Sequence, residues 1–538
     1  MRNLSMKIMT ILRSIFHLLT RQITQRQQTN KEERKASSAK EEWPLEMPLL
    51  AFSKTDFFTL RNAFTGVGIF GATGSGKTSG SGQTLARSYL THNMGGLVLC
   101  AKKSEAAQWL EWAKQEGREK SIIHVTPEKN IVFDFLGYEM RRATYGTVEN
   151  CLNLFNRVIE ITTKSDLSQG ENAYFYQACQ KLLRNAITLC HLAYGKITLR
   201  DVYEVIISAP KDEQEKKSEQ WMESSACFKA LTLCNKREKR KRRLQKHPQT
   251  NQELVLCAQY FLEEYPAFGD RLRSSITSIF TACADPWMRD DLWKLFGRDR
   301  DTVDPKTGKK PFYLDPDLCK QGAIILFDFP VKESYTGRLA QALYKYMWQQ
   351  HMERRDVEKD GGRPVFLWAD EAQLFVLPEA DAEFAQTARS SRIATVLLSQ
   401  NLSNYYVAMG QGEHGKNQTE SLMGNLGTLI FHCNSHEITN RWASTIAGNE
   451  WRYTASTTSG GSSGFSSSES GSSSNDGTSN SMSVSETLRT ILEPREFTLL
   501  ATGGKEFNYQ VEAIVMQAGR VWNATASNYI HATFDQRN

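Results

Sequence analysis

Short apolar runs alternate with amphipathic stretches in two separated parts of the chain. The runs, each four to seven residues long and flanked by turn-forming residues, lie at 67–70, 97–100, 122–125, 323–329, 365–369, 395–399 and 428–432. Helical spacing of apolar residues between them, as at 79–90 and 105–115, favours parallel strands joined by helices. The pattern therefore predicts an α/β fold with a mostly parallel sheet.

A long helical stretch separates these two parts. Apolar positions keep helical spacing across 172–194, Gly195 is a plausible helix stop, and Thr198 with Asp201 three residues later is typical of a helix start. Strand signals are few up to about residue 296. We predict an all-α domain inserted at 142–320.

The remaining boundaries follow from shifts in composition. Fifteen of the thirty residues in 456–485 are Ser and five are Gly, a composition that predicts a mobile loop because it cannot bury a core. The predicted units are 1–42 (amphipathic helix and polar linker), 43–141 (first part of the core domain), 142–320 (all-α), 321–455 (second part of the core), 456–485 (flexible loop) and 486–538 (C-terminal part, with a strand near 510–516).

The net charge of +6 is unevenly distributed. Residues 1–42 contribute +5 and the run KREKRKRRLQK at 236–246 contributes +7, so the remainder is net acidic. This distribution excludes a uniformly basic DNA-coating protein. The basic run is interpreted as a solvated charge run, a contact for DNA phosphates, or a contact for anionic lipid.

Ten cysteines without C-x-x-C or Cys/His pairing spacings indicate buried free thiols rather than a zinc ribbon or a disulfide framework. This pattern is consistent with a reducing cytoplasm.

Residues 6–20 form an amphipathic pattern interrupted by Lys7 and Arg13. The alternatives are a helix that docks on protein, an interfacial membrane helix with a basic polar face, and a spanning helix. We expect a cytoplasmic protein, or one peripheral on the cytoplasmic face of the inner membrane.

The run Gly71-Ala-Thr-Gly74-Ser75-Gly76-Lys77-Thr78 fits the P-loop pattern G-x-x-x-x-G-K-[ST] between a predicted strand and a predicted helix. Glycines there let backbone N–H groups converge on phosphate oxygens. Lys77 is expected to reach the β- and γ-phosphates of ATP and Thr78 to ligate Mg²⁺. A glycine-rich turn without a ligand is the alternative.

An apolar strand at 365–369 ends in Asp370-Glu371. The sequence predicts that Asp370 holds Mg²⁺, directly or through water, and that Glu371 polarises the attacking water. A helix-cap geometry without chemistry is the alternative. Gln400, after the strand 395–399, faces the same crevice in a parallel sheet and is predicted to sense the γ-phosphate or orient water. An ordinary loop glutamine is the alternative.

Arg389 and Arg392 lie between these two strands. Either one could stabilise transition-state charge across a subunit interface, or could belong to a solvated face.

Together these motifs, with the run Ala388–Gln400 and Gly424-Asn-Leu-Gly427, resemble type IV secretion coupling ATPases of the TraG/TraD kind, in the FtsK/HerA class of DNA-translocating motors. The resemblance implies a RecA-like P-loop NTPase core. It also implies a homo-oligomeric ring, commonly hexameric, that hydrolyses ATP with Mg²⁺, moves DNA and contacts type IV secretion channel and relaxosome proteins. Arg389 matches the family's arginine-finger position best.

The chain departs from that family in two places. Many coupling proteins begin with transmembrane helices, whereas here only the 6–20 pattern precedes the core. An Asp-x-Lys-type segment after the second strand is replaced by Ala101-Lys-Lys103.

Two alternative functions stay open. One is a HerA-like DNA-processing or phage-defence ATPase without secretion. The other is a nucleotide-gated docking platform that recruits protein substrates and moves no DNA.

Overall fold

The computed structural model describes residues 42–142, 146–163, 173–244, 251–303, 308–329, 331–410, 412–468 and 471–537. The chain divides into two units, 1–47 and 48–538, and only the last six residues of the first unit are described. The predicted helix at 6–20 lies outside the described residues. The account that follows concerns residues 48–537.

Fifteen strands are described. In chain order they are β1 (Pro48–Ala51), β2 (Phe57–Thr59), β3 (Val67–Phe70), β4 (Gly95–Leu99), β5 (Ile122–Val125), β6 (Ile131–Val132), β7 (Phe312–Tyr313), β8 (Ile324–Phe327), β9 (Val365–Ala369), β10 (Ile393–Ser399), β11 (Thr428–Phe431), β12 (Asn449–Ser468), β13 (Gly471–Thr490), β14 (Gln510–Gln517) and β15 (Tyr529–Asp535).

Nine of these strands form one sheet in the order β15-β14-β11-β3-β10-β9-β4-β8-β5. The seven strands from β11 to β5 are parallel, and β14 and β15 extend the sheet as an antiparallel pair. Strands β3, β4, β8, β9, β10 and β11 are buried along their whole length, as expected where helices cover both faces. This is the α/β architecture with a mostly parallel sheet that the apolar pattern predicts.

Nineteen α-helices are described. They are α1 (Leu60–Ala63), α2 (Gln83–Thr91), α3 (Lys103–Gln115), α4 (Phe135–Arg142), α5 (Thr147–Thr163), α6 (Ala173–Tyr194), α7 (Leu199–Ile207), α8 (Glu213–Lys217), α9 (Glu219–Ser224), α10 (Ala226–Leu244), α11 (Gln252–Gln259), α12 (Tyr265–Ala267), α13 (Asp270–Ala284), α14 (Asp290–Leu292), α15 (Tyr335–Glu353), α16 (Ala380–Thr387), α17 (Leu402–Met409), α18 (Gly412–Gly424) and α19 (Glu437–Ala447).

Helices α5 to α14 occupy the stretch between β6 and β7, where the sequence predicts helical structure. Helix α6 packs against α5, α7, α10, α11 and α13. Its end at Tyr194 is followed by Gly195 with a φ of +68°. Thr198 accepts a hydrogen bond from the Asp201 N–H at 3.1 Å, so the predicted stop and cap are both confirmed.

One short strand interrupts the predicted all-α stretch. Strand β7 pairs in parallel with β6, matching Phe312 with Ile131 and Tyr313 with Val132. The pair ties the end of the helical stretch to the residues that precede it. The domain boundaries themselves stay a prediction.

Strands β12 and β13 form a β-ribbon over most of the serine-rich segment, where the sequence predicts a loop. Strands β12 and β13 pair antiparallel from Asn449↔Thr490 to Ser468↔Gly471. Backbone pairing needs no core, and β-branched and aromatic residues at the base of the ribbon favour strands. Trp451 and Tyr453 at the base of the ribbon, and Met482 and Val484 within the serine-rich segment, are all more than 60% exposed.

All ten cysteines lie in the described part of the chain, and all are free thiols. Nine are buried and Cys433 is half-buried, which confirms the sequence prediction. No helix among the described residues is long and apolar enough to cross a bilayer.

Candidate functional site

The P-loop follows directly after β3, a strand near the middle of the nine-stranded sheet. The Gly71 N–H donates to the Ser399 carbonyl at 3.3 Å, and the Ala72 N–H donates to the Cys433 carbonyl at 2.9 Å. The loop therefore starts between the carboxyl ends of β10 and β11.

Two glycines of the P-loop need their backbone freedom. Gly74 and Gly76 have φ values of +77° and +81°, which L side chains rarely adopt. A Cβ on Gly76 would also lie 2.6 Å from Val511 Cγ2. The antiparallel strand β14 thus closes over the P-loop.

The P-loop continues into a wide turn rather than directly into an α-helix. A π-helical turn spans Thr78–Gly82, and α2 begins at Gln83. The Gly82 N–H reaches the Lys77 carbonyl at 2.9 Å, a five-residue spacing. The sequence predicts an ordinary helix over 79–90, whereas the first five residues after Lys77 form this wider turn. A Cβ on Gly80 would lie 3.0 Å from Val511 Cγ1, so β14 packs against the turn.

Thr78 and Asp370 meet across the sheet. The Thr78 hydroxyl donates to Asp370 Oδ2 at 2.6 Å, and Asp370 Oδ1 accepts the Glu371 N–H at 2.8 Å. Asp370 is 8% exposed. Both groups offer oxygen ligands, the kind that Mg²⁺ prefers. Among the residues described, no cluster of three or more His, Cys, Asp or Glu side chains could hold a metal ion.

Glu371 is held by two amide side chains. Gln373 Nε2 donates to its Oε2 at 2.8 Å and Gln400 Nε2 to its Oε1 at 3.1 Å. Its φ of +50° lies in the left-handed region, which residues other than glycine rarely adopt. Backbone conformations of this kind are concentrated at functional sites.

The charge state of Glu371 follows from these contacts. Burial raises the pKa of its carboxyl, but the hydrogen bonds from Gln373 and Gln400 and the positive charges of Lys77 and Lys332 lower it more. The net pKa lies below the ordinary value, so the group is an anion at neutral pH.

Gln400 is oriented through its own backbone. Asn434 Nδ2 donates to the Gln400 carbonyl at 2.9 Å, and the Asn434 carbonyl accepts a bond from Asn440 Nδ2 at 2.7 Å. The loop after β11 therefore positions the glutamine that contacts Glu371.

The structure brings five of the predicted site residues to one edge of the sheet: Lys77, Thr78, Asp370, Glu371 and Gln400. Lys77 is 8% exposed and lies close enough to Glu371 to lower the pKa of its carboxyl. Gly71, Gly74, Ser75 and Gly76 form the loop beside them.

Arg389 is not brought to this edge within the chain. It lies between α16 and β10, at the amino end of a strand whose carboxyl end leads to Gln400, and its side chain is exposed. Seven strand residues at about 3.3 Å each separate the two ends. Arg392 has a φ of +50° and donates to the Gly362 carbonyl at 3.1 Å.

Sequence reasoning missed several residues at the site. Gln373 lies only two positions after Glu371, so its place in the sequence could have suggested it. Lys332 and Asn434 are distant from Glu371 in the chain, and only the order of strands in the sheet brings them to the site. Lys332 Nζ lies 3.8 Å from Glu371 Oε1.

Glu105 is another missed residue. Its Oε2 accepts the Ala101 N–H at 2.7 Å, in the loop that replaces the Asp-x-Lys-type segment. Burial, and next the charge of Asp370, raise the pKa of Glu105 to about 7, although the N–H groups of Ala101 and Lys102 lower it.

A comparison with family models matches residues 364–501 to the TraM recognition site of TraD and TraG. The matched segment contains Asp370, Glu371, Arg389 and Gln400. A sequence comparison with curated proteins found no match.

Solved structures of the plasmid coupling protein TrwB share the fold. The unbound monoclinic form of TrwBdeltaN70 is 11% identical, with a TM-score of 0.53 over 89% of this chain and 86% of that chain. The TrwB complex with the non-hydrolysable GTP analogue GDPNP is 11% identical, with a TM-score of 0.52 over 91% of this chain and 92% of that chain. The complex with ADP and Mg²⁺ is 12% identical, with a TM-score of 0.51 over 92% and 91%.

These structural matches show a shared fold, and their coverage of about nine-tenths of the chain includes both the sheet and the helical stretch. The match over 364–501 adds a sequence relationship in the second part of the core. Both findings confirm what the motifs predict: this chain has a RecA-like P-loop NTPase fold and resembles the type IV secretion coupling ATPases of the TraG/TraD kind.

Proposed function

We propose that this protein is an ATP-hydrolysing ring motor that binds and translocates DNA as the coupling protein of a conjugative type IV secretion system. One observation carries the proposal. The Thr78–Asp370 and Gln400–Glu371 hydrogen bonds join the P-loop, the acidic strand end and the next strand end into one site.

The residues fit ATP with Mg²⁺. The N–H groups of 71–78 and the Lys77 ammonium would hold the phosphates, while the Thr78 hydroxyl and the Asp370 carboxylate would hold the metal. Mg²⁺, when bound, neutralises phosphate charge. TrwB has been solved with the ATP analogue ADPNP and with ADP and Mg²⁺.

Glu371 is suited to act as the general base. Its lowered pKa keeps it ionised, and the amides of Gln373 and Gln400 fix both oxygens. A carboxylate in that position can accept a proton from water as the water attacks the γ-phosphate. Gln400, whose amide nitrogen donates to Glu371, would sense the γ-phosphate or orient the attacking water.

Arg389 is proposed as a finger supplied to the neighbouring subunit. Its exposed side chain and its place at the amino end of β10 fit action in trans and do not fit action on its own P-loop. This assignment requires a ring, and a hexamer is expected from the family resemblance.

The proposed partners are DNA, relaxosome proteins and type IV secretion channel proteins. The TraM recognition site matched at 364–501 supports a relaxosome contact. Exposed Lys236, Lys239 and Arg240 on α10 supply a basic surface for phosphates. The proposed peripheral membrane contact through 6–20 lies outside the described residues.

The test is DNA-stimulated ATP hydrolysis by the full chain, followed by DNA transfer between cells that carry or lack it. Turnover stimulated by DNA and transfer that depends on the chain are expected. DNA-stimulated hydrolysis, together with DNA transfer that is the same in cells with and without the chain, would favour the HerA-like alternative.

A docking platform is the second candidate, and the match to a TraM recognition site also favours it because recognition of a protein needs no translocation. ATP-dependent protein capture with no effect of DNA on turnover would support the platform over the motor.

A further inference from the structure

A buried hydrogen-bond chain lies behind the P-loop and links three elements. His432, directly after β11, contacts Ser81 of the π-helical turn through Nε2 at 2.7 Å and the Glu512 carbonyl of β14 through Nδ1 at 3.0 Å. His432 is 0% exposed and Ser81 is 1% exposed.

The chemistry of the partners decides where the protons lie. A carbonyl oxygen only accepts, so Nδ1 must carry the proton that bonds to Glu512. A neutral imidazole then has its lone pair on Nε2, which must accept from the Ser81 hydroxyl. Burial, and secondarily the charge of Lys77, lower the pKa of His432 to about 4 despite the Glu512 bond, so the ring is neutral near pH 7.

The Cβ of His432 also lies against the start of the P-loop. A Cβ on Gly71 would lie 2.9 Å from His432 Cβ and would also clash with Ser75 Oγ, so the loop backbone packs directly on this residue. His432 therefore contacts the loop both before and after Lys77 and Thr78.

We propose that His432 and Ser81 are positioning residues that hold the P-loop in its reactive geometry by tying the turn after Thr78 to β11 and β14. The inference rests on the proposed ATP hydrolysis and adds to it two residues outside the recognised motifs. Neither residue needs to touch the nucleotide. Each acts through the backbone that carries Lys77 and Thr78.

Two substitutions at position 432 separate the hydrogen bonds. His432→Asn places an amide near the position of Nδ1 and can keep the bond to Glu512, but it is too short to reach Ser81. His432→Gln can place its carbonyl oxygen near the position of Nε2 and so keep an acceptor for Ser81. If the Ser81 bond positions the loop, the two variants must differ.

The experiment measures kcat and KM for ATP, the Kd for ADP, and the thermal unfolding midpoint of the full chain and its variants. Ser81→Ala and His432→Asn are expected to lower kcat by about 10- to 100-fold, the effect of a small misplacement of reacting groups. His432→Gln is expected to recover most of that loss. The double variant Ser81→Ala/His432→Asn is expected to be no slower than either single variant, because both remove the same bond.

Ser88→Ala is the matched control, since Ser88 lies on α2, two turns beyond Ser81, and donates to the Leu49 carbonyl at 2.8 Å. It should affect the unfolding midpoint but not kcat. Should Ser81→Ala fail to fold, the two His432 variants still make the comparison.

If the unaltered chain and Ser81→Ala have the same kcat, the inference is overturned, whereas the proposed function stays intact. Equal losses in His432→Asn and His432→Gln would also overturn it, as they would show a general packing role. If the unaltered protein hydrolyses no ATP at all, the proposed function itself fails and the inference with it.

Discussion

The Thr78 hydroxyl lies 2.6 Å from Asp370 Oδ2, although 292 positions separate the two residues in the chain. Strand β9 lies two places from β3 in the sheet, with β10 between them, so their carboxyl ends open on the same crevice. The P-loop and the acidic strand end therefore form one site rather than two independent motifs.

Replacement of Asp370 by Asn should weaken metal binding. The amide keeps the shape of the side chain but removes its charge, so the Mg²⁺ concentration for half-maximal ATP hydrolysis should rise about 10- to 100-fold. A Mg²⁺ titration of turnover measures this. Asp356→Asn, in an exposed turn, is the control, and an unchanged Mg²⁺ requirement in Asp370→Asn would contradict the assignment.

Glu371→Gln should block turnover while ATP and Mg²⁺ remain bound. An amide is not a base, so the rate should fall about 10²- to 10⁴-fold, whereas nucleotide affinity should change little. Stopped-flow binding of a fluorescent nucleotide, together with phosphate release, separates the two quantities. Glu383→Gln, on the exposed face of α16, should behave as the unaltered protein does. Loss of binding in Glu371→Gln would indicate a structural role instead.

Arg389→Ala should bind ATP normally and hydrolyse it slowly, because a supplied arginine contributes on the order of 10³- to 10⁵-fold in other P-loop enzymes. Lys77→Ala should lose productive nucleotide binding, since the phosphate charge loses its cationic partner. Mixing the two variants should restore activity at interfaces that pair an intact P-loop with an intact arginine.

Subunit exchange in these mixtures must be verified with labelled protein. Full activity of Arg389→Ala alone would reject the finger, and Arg392 would be the next candidate. A loss that is never rescued in verified mixed rings would place the arginine in cis.

His432 should make stability depend on pH below neutrality. Burial lowers its pKa from 6.5 to about 4 in the folded chain, so the unfolded chain binds more protons between these values. The free energy of unfolding should therefore fall as the pH drops through this window. Between pH 7 and pH 5 this group should lower the free energy of unfolding by about 2 kcal/mol. Denaturant unfolding at both pH values should show that His432→Gln lacks this part of the decrease, and an equal decrease in the two proteins would contradict it.

The basic helix should contribute to DNA affinity and its salt dependence. Replacing Lys236, Lys239 and Arg240 with Gln should weaken binding and reduce the slope of log K against log salt by about 0.7–0.9 for each phosphate that the protein no longer neutralises. ATP turnover without DNA should be unchanged. Binding measured at several salt concentrations tests this, with Lys309→Gln as the control for an exposed cation elsewhere. An unchanged slope would show that the run is only solvated.

The sequence by itself determined the parallel α/β core and most of the site. The apolar runs that end at Phe70, Ala369 and Ser399 are strands, and the P-loop, Asp370-Glu371 and Gln400 follow them directly. Such motifs can be identified because the apolar residues of a buried strand and the polar residues that follow it are adjacent in the sequence. The carboxyl ends of parallel strands also lie at the same edge of the sheet, so these polar residues come together.

Only the tertiary structure decided how these residues are supported. The Ser81–His432 contact joins positions 351 apart, and Val511, from a strand more than 400 residues further on, packs against Gly80 of the π-helical turn. Strands β12 and β13 pair through their backbone groups, and composition gives no information about that pairing. Contacts of this kind depend on the order of strands in the sheet, and local sequence pattern carries no information about that order.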